Sequence, residues 1–191
     1  MNIEKIKKAN TKVLGKEIVY YDVLDSTQKE AKRKIRTNDI TNGTIIITNY
    51  QTEGIGTKGR SWYTNSNDNI TLTIVLYPNC NISKLDGLTI KIAQAIKNAI
   101  KKLYGILLEI KAPNDLLLNG KKISGILTQS STYKGNVKYL LIGIGFNVNQ
   151  TKFEKEIKSL ATSLKKEYGK EYNKEDIIIE SIQELEKIID V

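Results

Sequence analysis

Apolar and polar positions along this chain fall into runs that mark its elements one after another. Residues 1 to 15 carry the pattern of a short charged helix stopped by Gly15. Glu17 to Leu24, EIVYYDVL, reads as a strand, and Asp25-Ser26-Thr27 then offers N-cap chemistry to a helix running through about Arg36. Gly43 to Thr48 is a β-branched strand that feeds a polar, glycine-rich stretch from Tyr50 to Asp68, and Asn69 to Tyr77 is the next strand. From Leu88 to Leu103 the apolar residues recur at helical spacing, with Gly105 as the stop. Val137 to Val148 is so continuously apolar that it reads as a buried strand, and Asn173 to Asp176 resembles a capping box before a terminal helix, Ile177 to Ile189. A sheet interrupted by helices in this order predicts an α+β fold, here as one domain over residues 1–191.

The sharpest local signal lies between Lys111 and Leu127. Asn119-Gly120 separates the apolar runs Leu116 to Leu118 and Ile123 to Leu127, which predicts a two-residue hairpin with positive φ at both turn positions. Lys121 and Lys122 open the returning strand, so alternation sends them to opposite faces. One faces solvent and the other faces whatever the sheet carries. At Ser124 and Gly125 a ligand can approach the backbone. An ordinary surface hairpin with lysines guarding its edge satisfies the same pattern.

Composition narrows the chemistry more than it names it. The chain has 191 residues, one cysteine, Cys80, and no histidine. An internal disulfide, cysteine-based zinc sites and the Ser-His-Asp and Cys-His triads are therefore excluded. Carboxylates, amides, lysine and arginine remain, and any metal is a hard cation such as magnesium arriving with a nucleotide. The longest apolar run, Tyr139 to Phe146, is far short of the roughly 18 residues of a membrane span. With no signal-peptide core in MNIEKIKKAN, the expectation is a cytoplasmic protein. The net charge of +9 invites a nucleic-acid partner, but the lysines are dispersed and accompany abundant asparagine, isoleucine and tyrosine, as an A/T-rich genome produces. No nucleic-acid partner is expected.

Gly54-Ile-Gly-Thr-Lys-Gly59-Arg60-Ser61 satisfies G-x-G-x-x-G and nearly satisfies the P-loop pattern. Both motifs require a helix next, whereas here WYTNSNDN leads into a strand. What remains is a strand-to-strand loop carrying Lys58 and Arg60, whose glycines let backbone N–H groups approach a phosphate. A plain surface loop is the alternative.

Taken together, Ser26-Thr27-Gln28, the stretch from Gln51 through Arg60 to Trp62, Lys111-Ala-Pro-Asn-Asp115, Lys122-Ile-Ser-Gly-Ile-Leu127 and Gly143-Ile-Gly-Phe-Asn147-Val-Asn149 resemble, in order, the signature blocks of biotin protein ligases. The likeness runs from about Glu17 to the terminal helix, and Ala161 to Leu164 joins it. It implies a mixed, mostly antiparallel sheet flanked by helices, of the class II aminoacyl-tRNA synthetase and biotin ligase kind. It also implies a two-step reaction. Biotin attacks the α-phosphorus of magnesium-bound ATP to give biotinyl-AMP, and a lysine of a biotin carboxyl carrier domain then takes the biotinyl group. Joining two anions needs placed cations and N–H donors more than a general base.

By the resemblance, Lys122 and Arg60 are the catalytic cations. Ser26, Thr27, Gln28, Gln51, Gly54, Ile55, Gly56, Thr57, Lys122, Gly125 and Gly143 form the biotin site, with the two last glycines making room for the bicyclic ring. Lys58, Arg60, Trp62, Asn69, Asn114, Asp115 and Asn147 meet the nucleotide, with Asp115 a magnesium ligand. The loop from Gly54 to Arg60 closes over the adenylate and excludes water.

Departures from the pattern matter. Ile55 and Thr57 stand where the loop usually has arginines, and Ala112 stands where K-W-P-N-D has tryptophan. No DNA-binding module is expected before the core and no SH3-like β domain after Val191. A pseudoenzyme that holds biotin or its adenylate without turnover is the alternative reading. Related lipoate ligases and octanoyltransferases lack support because their histidine-bearing motif is absent. Monomer and homodimer both remain open, since a sheet edge suits carrier docking and self-pairing alike.

Overall fold

The computed structural model describes residues 1–64 and 67–189. Its elements, in order, are α1 (Ile3–Lys7), β1 (Ile18–Leu24), α2 (Thr27–Arg36), β2 (Ile45–Gln51), β3 (Ile70–Leu76), α3 (Leu88–Tyr104), β4 (Glu109–Lys111), β5 (Asp115–Leu118), β6 (Lys121–Tyr133), β7 (Asn136–Phe146), α4 (Leu164–Tyr168) and α5 (Lys174–Glu186). The strands form one seven-stranded sheet in the order β1-β2-β3-β7-β6-β5-β4. Only the β1–β2 pair is parallel, so the sheet is mixed and mostly antiparallel, as expected. None of the described helices is long and apolar enough to cross a membrane.

The main core fills one face. There Ile92, Ile96 and Ile100 of α3 and Ile177, Ile178, Ile182 and Leu185 of α5 pack on Ile45 and Ile47, Ile74 and Leu76, and Ile142 and Ile144 from the central strands. The stop at Gly105 holds, with φ of 69° and its N–H on the Lys101 carbonyl. The opposite face is covered less completely. Ala31 of α2 meets Ile46, Val75 and Leu141 in a small second cluster, and the rest of that face is left to the cavity described below.

At the N-terminus the structure departs from the helix expected over residues 1 to 15. α1 is only five residues long, capped by the Asn2 side chain on the Lys5 N–H. Beyond it the backbone finds acceptors elsewhere. The N–H groups of Lys12, Val13 and Leu14 donate to the Glu186 carboxylate at 2.6, 2.7 and 2.9 Å. Burial pushes the Glu186 carboxyl up, but these donors outweigh it and hold it below the ordinary range. With Ile6, Ala9 and Leu14 buried as well, the segment follows the surface of α5 instead of continuing a helix.

The hairpin takes the predicted form, with φ of 51° at Asn119 and 73° at Gly120. It also contains a feature that alternation does not reveal. Asp115 pairs with Gly125 and Leu116 with Ser124, but Leu117 pairs with Lys122, so Ile123 is one extra residue in β6. This bulge puts Lys122 on the same face as Gly125, three positions away, where an unbroken strand would set them on opposite faces. Ile123 itself is fully buried in the main core.

Candidate active site

The less covered face of the sheet floors a cavity of about 310 Å³. Two registered rows make that floor. Thr71, Gly145 and Gly125 lie side by side on β3, β7 and β6, and so do Thr73, Gly143 and Leu127. The glycines are required by what rests on them. A Cβ on Gly145 would stand 2.2 Å from Cε2 of Trp62, one on Gly143 would stand 2.5 Å from Nε2 of Gln28, and one on Gly125 would stand 3.0 Å from Cζ3 of Trp62. Gly125 and Gly143 thus seat protein side chains that in turn line the cavity.

One end is built where α2 begins. Ser26 occupies the N-cap position but its side chain does not cap the helix. Gln51, at the end of β2, does the work from across the sheet: its Oε1 accepts from the Thr27 N–H at 2.8 Å and from the Thr27 hydroxyl at 3.2 Å. Thr73 donates to the Thr27 hydroxyl at 2.9 Å, and the Gln28 amide donates to the Leu127 carbonyl at 3.2 Å. Asp25 accepts from the Ser26 N–H and grips Arg33, whose guanidinium holds its carboxyl down at about 2. The outcome is a rigid set of side chains with spare capacity. Buried polar atoms of the lining, the hydroxyls of Ser26 and Thr71, Oε1 of Gln28 and the indole N–H of Trp62, have no partner among the described residues. Each such atom costs about 1–3 kcal/mol until something polar meets it, so the cavity suits a ligand with its own donors and acceptors.

The other end carries charge. Nζ of Lys122 stands 2.7 Å from Oδ1 of Asp115 and 5.5 Å from the Trp62 ring centre. The Lys122 backbone is fixed on both sides, its N–H on the Leu160 carbonyl and its carbonyl accepting from Thr162. Asn114 donates to Asp115 at 3.2 Å and to the Ile126 carbonyl at 3.3 Å, and Asn147 donates to the Thr162 carbonyl at 3.0 Å. Among the described residues no three His, Cys, Asp or Glu side chains converge on a metal position.

The glycine-rich loop is more closed than a free lid. Ile55 bridges to Ser61, and the Trp62 N–H donates to the Gly54 carbonyl at 2.8 Å. Any Cβ on Gly54 would fall 2.3 Å from the Trp62 carbonyl oxygen. Lys58 and Gly59 turn the chain with φ of 56° and 74°.

Most of the residues expected at the site therefore meet in one place: Ser26, Thr27, Gln28, Gln51, Ile55, Gly56, Thr57, Arg60, Trp62, Asn114, Lys122, Gly125, Gly143 and Asn147 all line the cavity. Asp115 reaches it through Lys122. Three residues stand off the wall. Gly54 lies behind it, and Lys58 is exposed at the loop tip. Asn69 is buried, its amide accepting from the Val148 N–H at 3.0 Å and donating to Gln150, so it braces the floor of the site.

Other residues escaped the sequence reading. Thr71 and Gly145 extend the floor, and Phe153, Ile157 and Leu160 form an apolar wall from the segment after β7. The spacing of these last three, four and then three positions apart within a lysine-rich stretch, carries the signal for one apolar side.

Comparison with known proteins gives a consistent picture. The model of the Biotin/lipoate A/B protein ligase family matches residues 20–147. Over 170 residues, 88% of this chain and 52% of the relative, the chain is 37% identical to the bifunctional ligase/repressor BirA of Bacillus subtilis. It is 33% identical over 126 residues to the biotin--[acetyl-CoA-carboxylase] ligase of Paracoccus denitrificans, covering 65% of this chain and 51% of that one. The chain thus spans about half the length of these curated relatives. Among solved structures, a biotin protein ligase from Aquifex aeolicus in complex with biotin and ATP superposes with a TM-score of 0.78 at 27% identity, covering 90% of this chain and 69% of that one.

Proposed function

The chain belongs to the biotin/lipoate A/B protein ligase family, and from that premise we propose that it activates biotin with ATP and transfers the biotinyl group to a lysine of a carrier domain. One observation carries the reading: the Lys122 ammonium and the unpartnered polar atoms of Ser26 and Gln28 line the same cavity. A cyclic urea joined to a carboxylate by an apolar stem has polar groups at both ends to answer them.

In the first step a carboxylate oxygen of biotin attacks the α-phosphorus of ATP, forming the acyl phosphate and releasing pyrophosphate. Ser26, Thr27, Gln28 and Gln51 hold the urea, the Trp62 ring seated on Gly145 and Gly125 borders the stem, and Lys122 meets the carboxylate. Negative charge concentrates where carboxylate and phosphate join, and Lys122 with Arg60 stabilises it in a site partly closed to water. In the second step the carrier amine attacks the acyl carbon and AMP leaves, and the same ammonium stabilises the oxyanion. Trp62 offers its face to the adenine, while Asn114 and Asn147 offer amides to the nucleotide. Magnesium fits as an ion held largely by the phosphates, with Asp115 beside Lys122 as a carboxylate that would reach it, and when bound it would neutralise polyphosphate charge. The relative named for acetyl-CoA carboxylase suggests the acceptor, a biotin carrier domain of such an enzyme.

Incubation with biotin, Mg-ATP and a carrier domain, followed by mass spectrometry of the carrier, tests the proposal. A biotinyl adduct is expected, and lipoate or octanoate in place of biotin is expected to give none. Tight biotin binding without adduct would instead mark a binding protein without turnover.

A further inference from the structure

Within the loop from Gly54 to Trp62, a cation at the exit is tied to a hydroxyl at the entrance. The turn at Lys58 and Gly59 brings Arg60 back over Thr57, where the Gly56 N–H donates to the Arg60 carbonyl at 2.6 Å. There Nη2 of Arg60 donates to Oγ1 of Thr57 at 3.0 Å, and Nε donates to the Thr57 carbonyl at 3.3 Å. Both residues line the cavity. Two acceptors on one residue therefore fix the plane of the guanidinium. A guanidinium has five N–H donors, so those not spent on Thr57 remain for an anion. Arginine is rich in rotamers, and this one is exposed, so without a tether a phosphate would have to order it on binding.

We propose that Thr57 is a positioning residue: its hydroxyl aims the Arg60 guanidinium at the phosphates of ATP in the cavity. The proposal rests on the function given above and makes Thr57 act through Arg60. Thr57→Val removes the hydroxyl while keeping the shape, Thr57→Ser keeps the hydroxyl, and Arg60→Ala removes the group that is aimed.

Pyrophosphate release with biotin and Mg-ATP is measured for the wild type, these three variants and the Thr57→Val/Arg60→Ala double variant. ATP titration calorimetry in parallel reads binding without turnover. Loss of one such hydrogen bond is expected to raise the Kd for ATP and to lower kcat/KM about three- to tenfold in Thr57→Val, with Thr57→Ser restoring the wild-type values. In the Arg60→Ala background Thr57→Val is expected to add nothing. An equal penalty in both backgrounds, or no penalty in either, overturns the positioning role while leaving the proposed function standing. A wild-type chain that binds no ATP overturns both.

Discussion

At the scale of single residues, the site depends on side chains that press against backbone with no Cβ. Gly145→Ala would put a methyl group 2.2 Å from the Trp62 ring. Since Trp62 is the chain's single tryptophan, its fluorescence reports the displacement directly. Adenylate formation is expected to fall about a hundredfold with the circular dichroism unchanged, and unaltered emission and turnover would show that the indole does not rest there. Lys122→Ala tests the charge instead of the shape. Pyrophosphate release is expected to drop about 10²–10³-fold, and near-normal turnover would remove Lys122 from the mechanism. The sequence made the lysine visible through its place after Asn119-Gly120, and made Ser26 to Gln28 visible as helix-start chemistry. The partner of that helix start was hidden: Gln51 caps α2 from 24 residues away, leaving the Ser26 hydroxyl without a partner among the described residues.

Among elements, β6 and α2 carry most of the consequence. In β6 the residue count matters separately from the side chain. Deleting Ile123 removes the bulge, so Lys122 must turn to the opposite face or the hairpin must slip. No adenylate formation is expected from this variant. Ile123→Ala keeps the count, is expected to cost about 2–5 kcal/mol of stability in urea unfolding, and should remain active where folded. Turnover by the deletion variant would separate the bulge from the placement of the amine. Around α2, the Arg33 hydrogen bond depresses the Asp25 carboxyl to about 2, against about 3.9 in an unfolded chain. A depressed carboxyl stabilises the fold above its unfolded pKa, and the benefit is lost as pH falls from about 4 through about 2. With Arg33 nearly half exposed, solvent screening limits the effect to no more than about 1 kcal/mol. Arg33→Ala should show that deficit in urea titrations at pH 7 and a smaller one at pH 3, and an equal deficit at both would point to packing. Periodicity located α3, α5 and the hairpin, because each satisfies its own backbone locally. It extended α1 too far because Glu186, which takes the N–H groups of residues 12 to 14, is distant in the chain.

For the molecule as a whole, what the sequence left unread lies mainly between elements: the bulge that turns Lys122 toward Gly125, the glycine rows that register across β3, β7 and β6, and the apolar wall of Phe153, Ile157 and Leu160. Each exists only once distant strands align. The excess of basic over acidic residues, +9 in total, was legible from the start yet says little about the cavity, where the key ammonium is matched at 2.7 Å by Asp115. An acid that settles against Lys122 therefore meets an ammonium already paired, shares it with Asp115 and feels little long-range pull from it. Raising ionic strength should leave biotin affinity nearly constant in calorimetry while slowing the arrival of ATP, which the unmatched surface charge attracts through solvent. A steep loss of biotin affinity with added salt would mean that Asp115 does not hold the ammonium before the vitamin arrives.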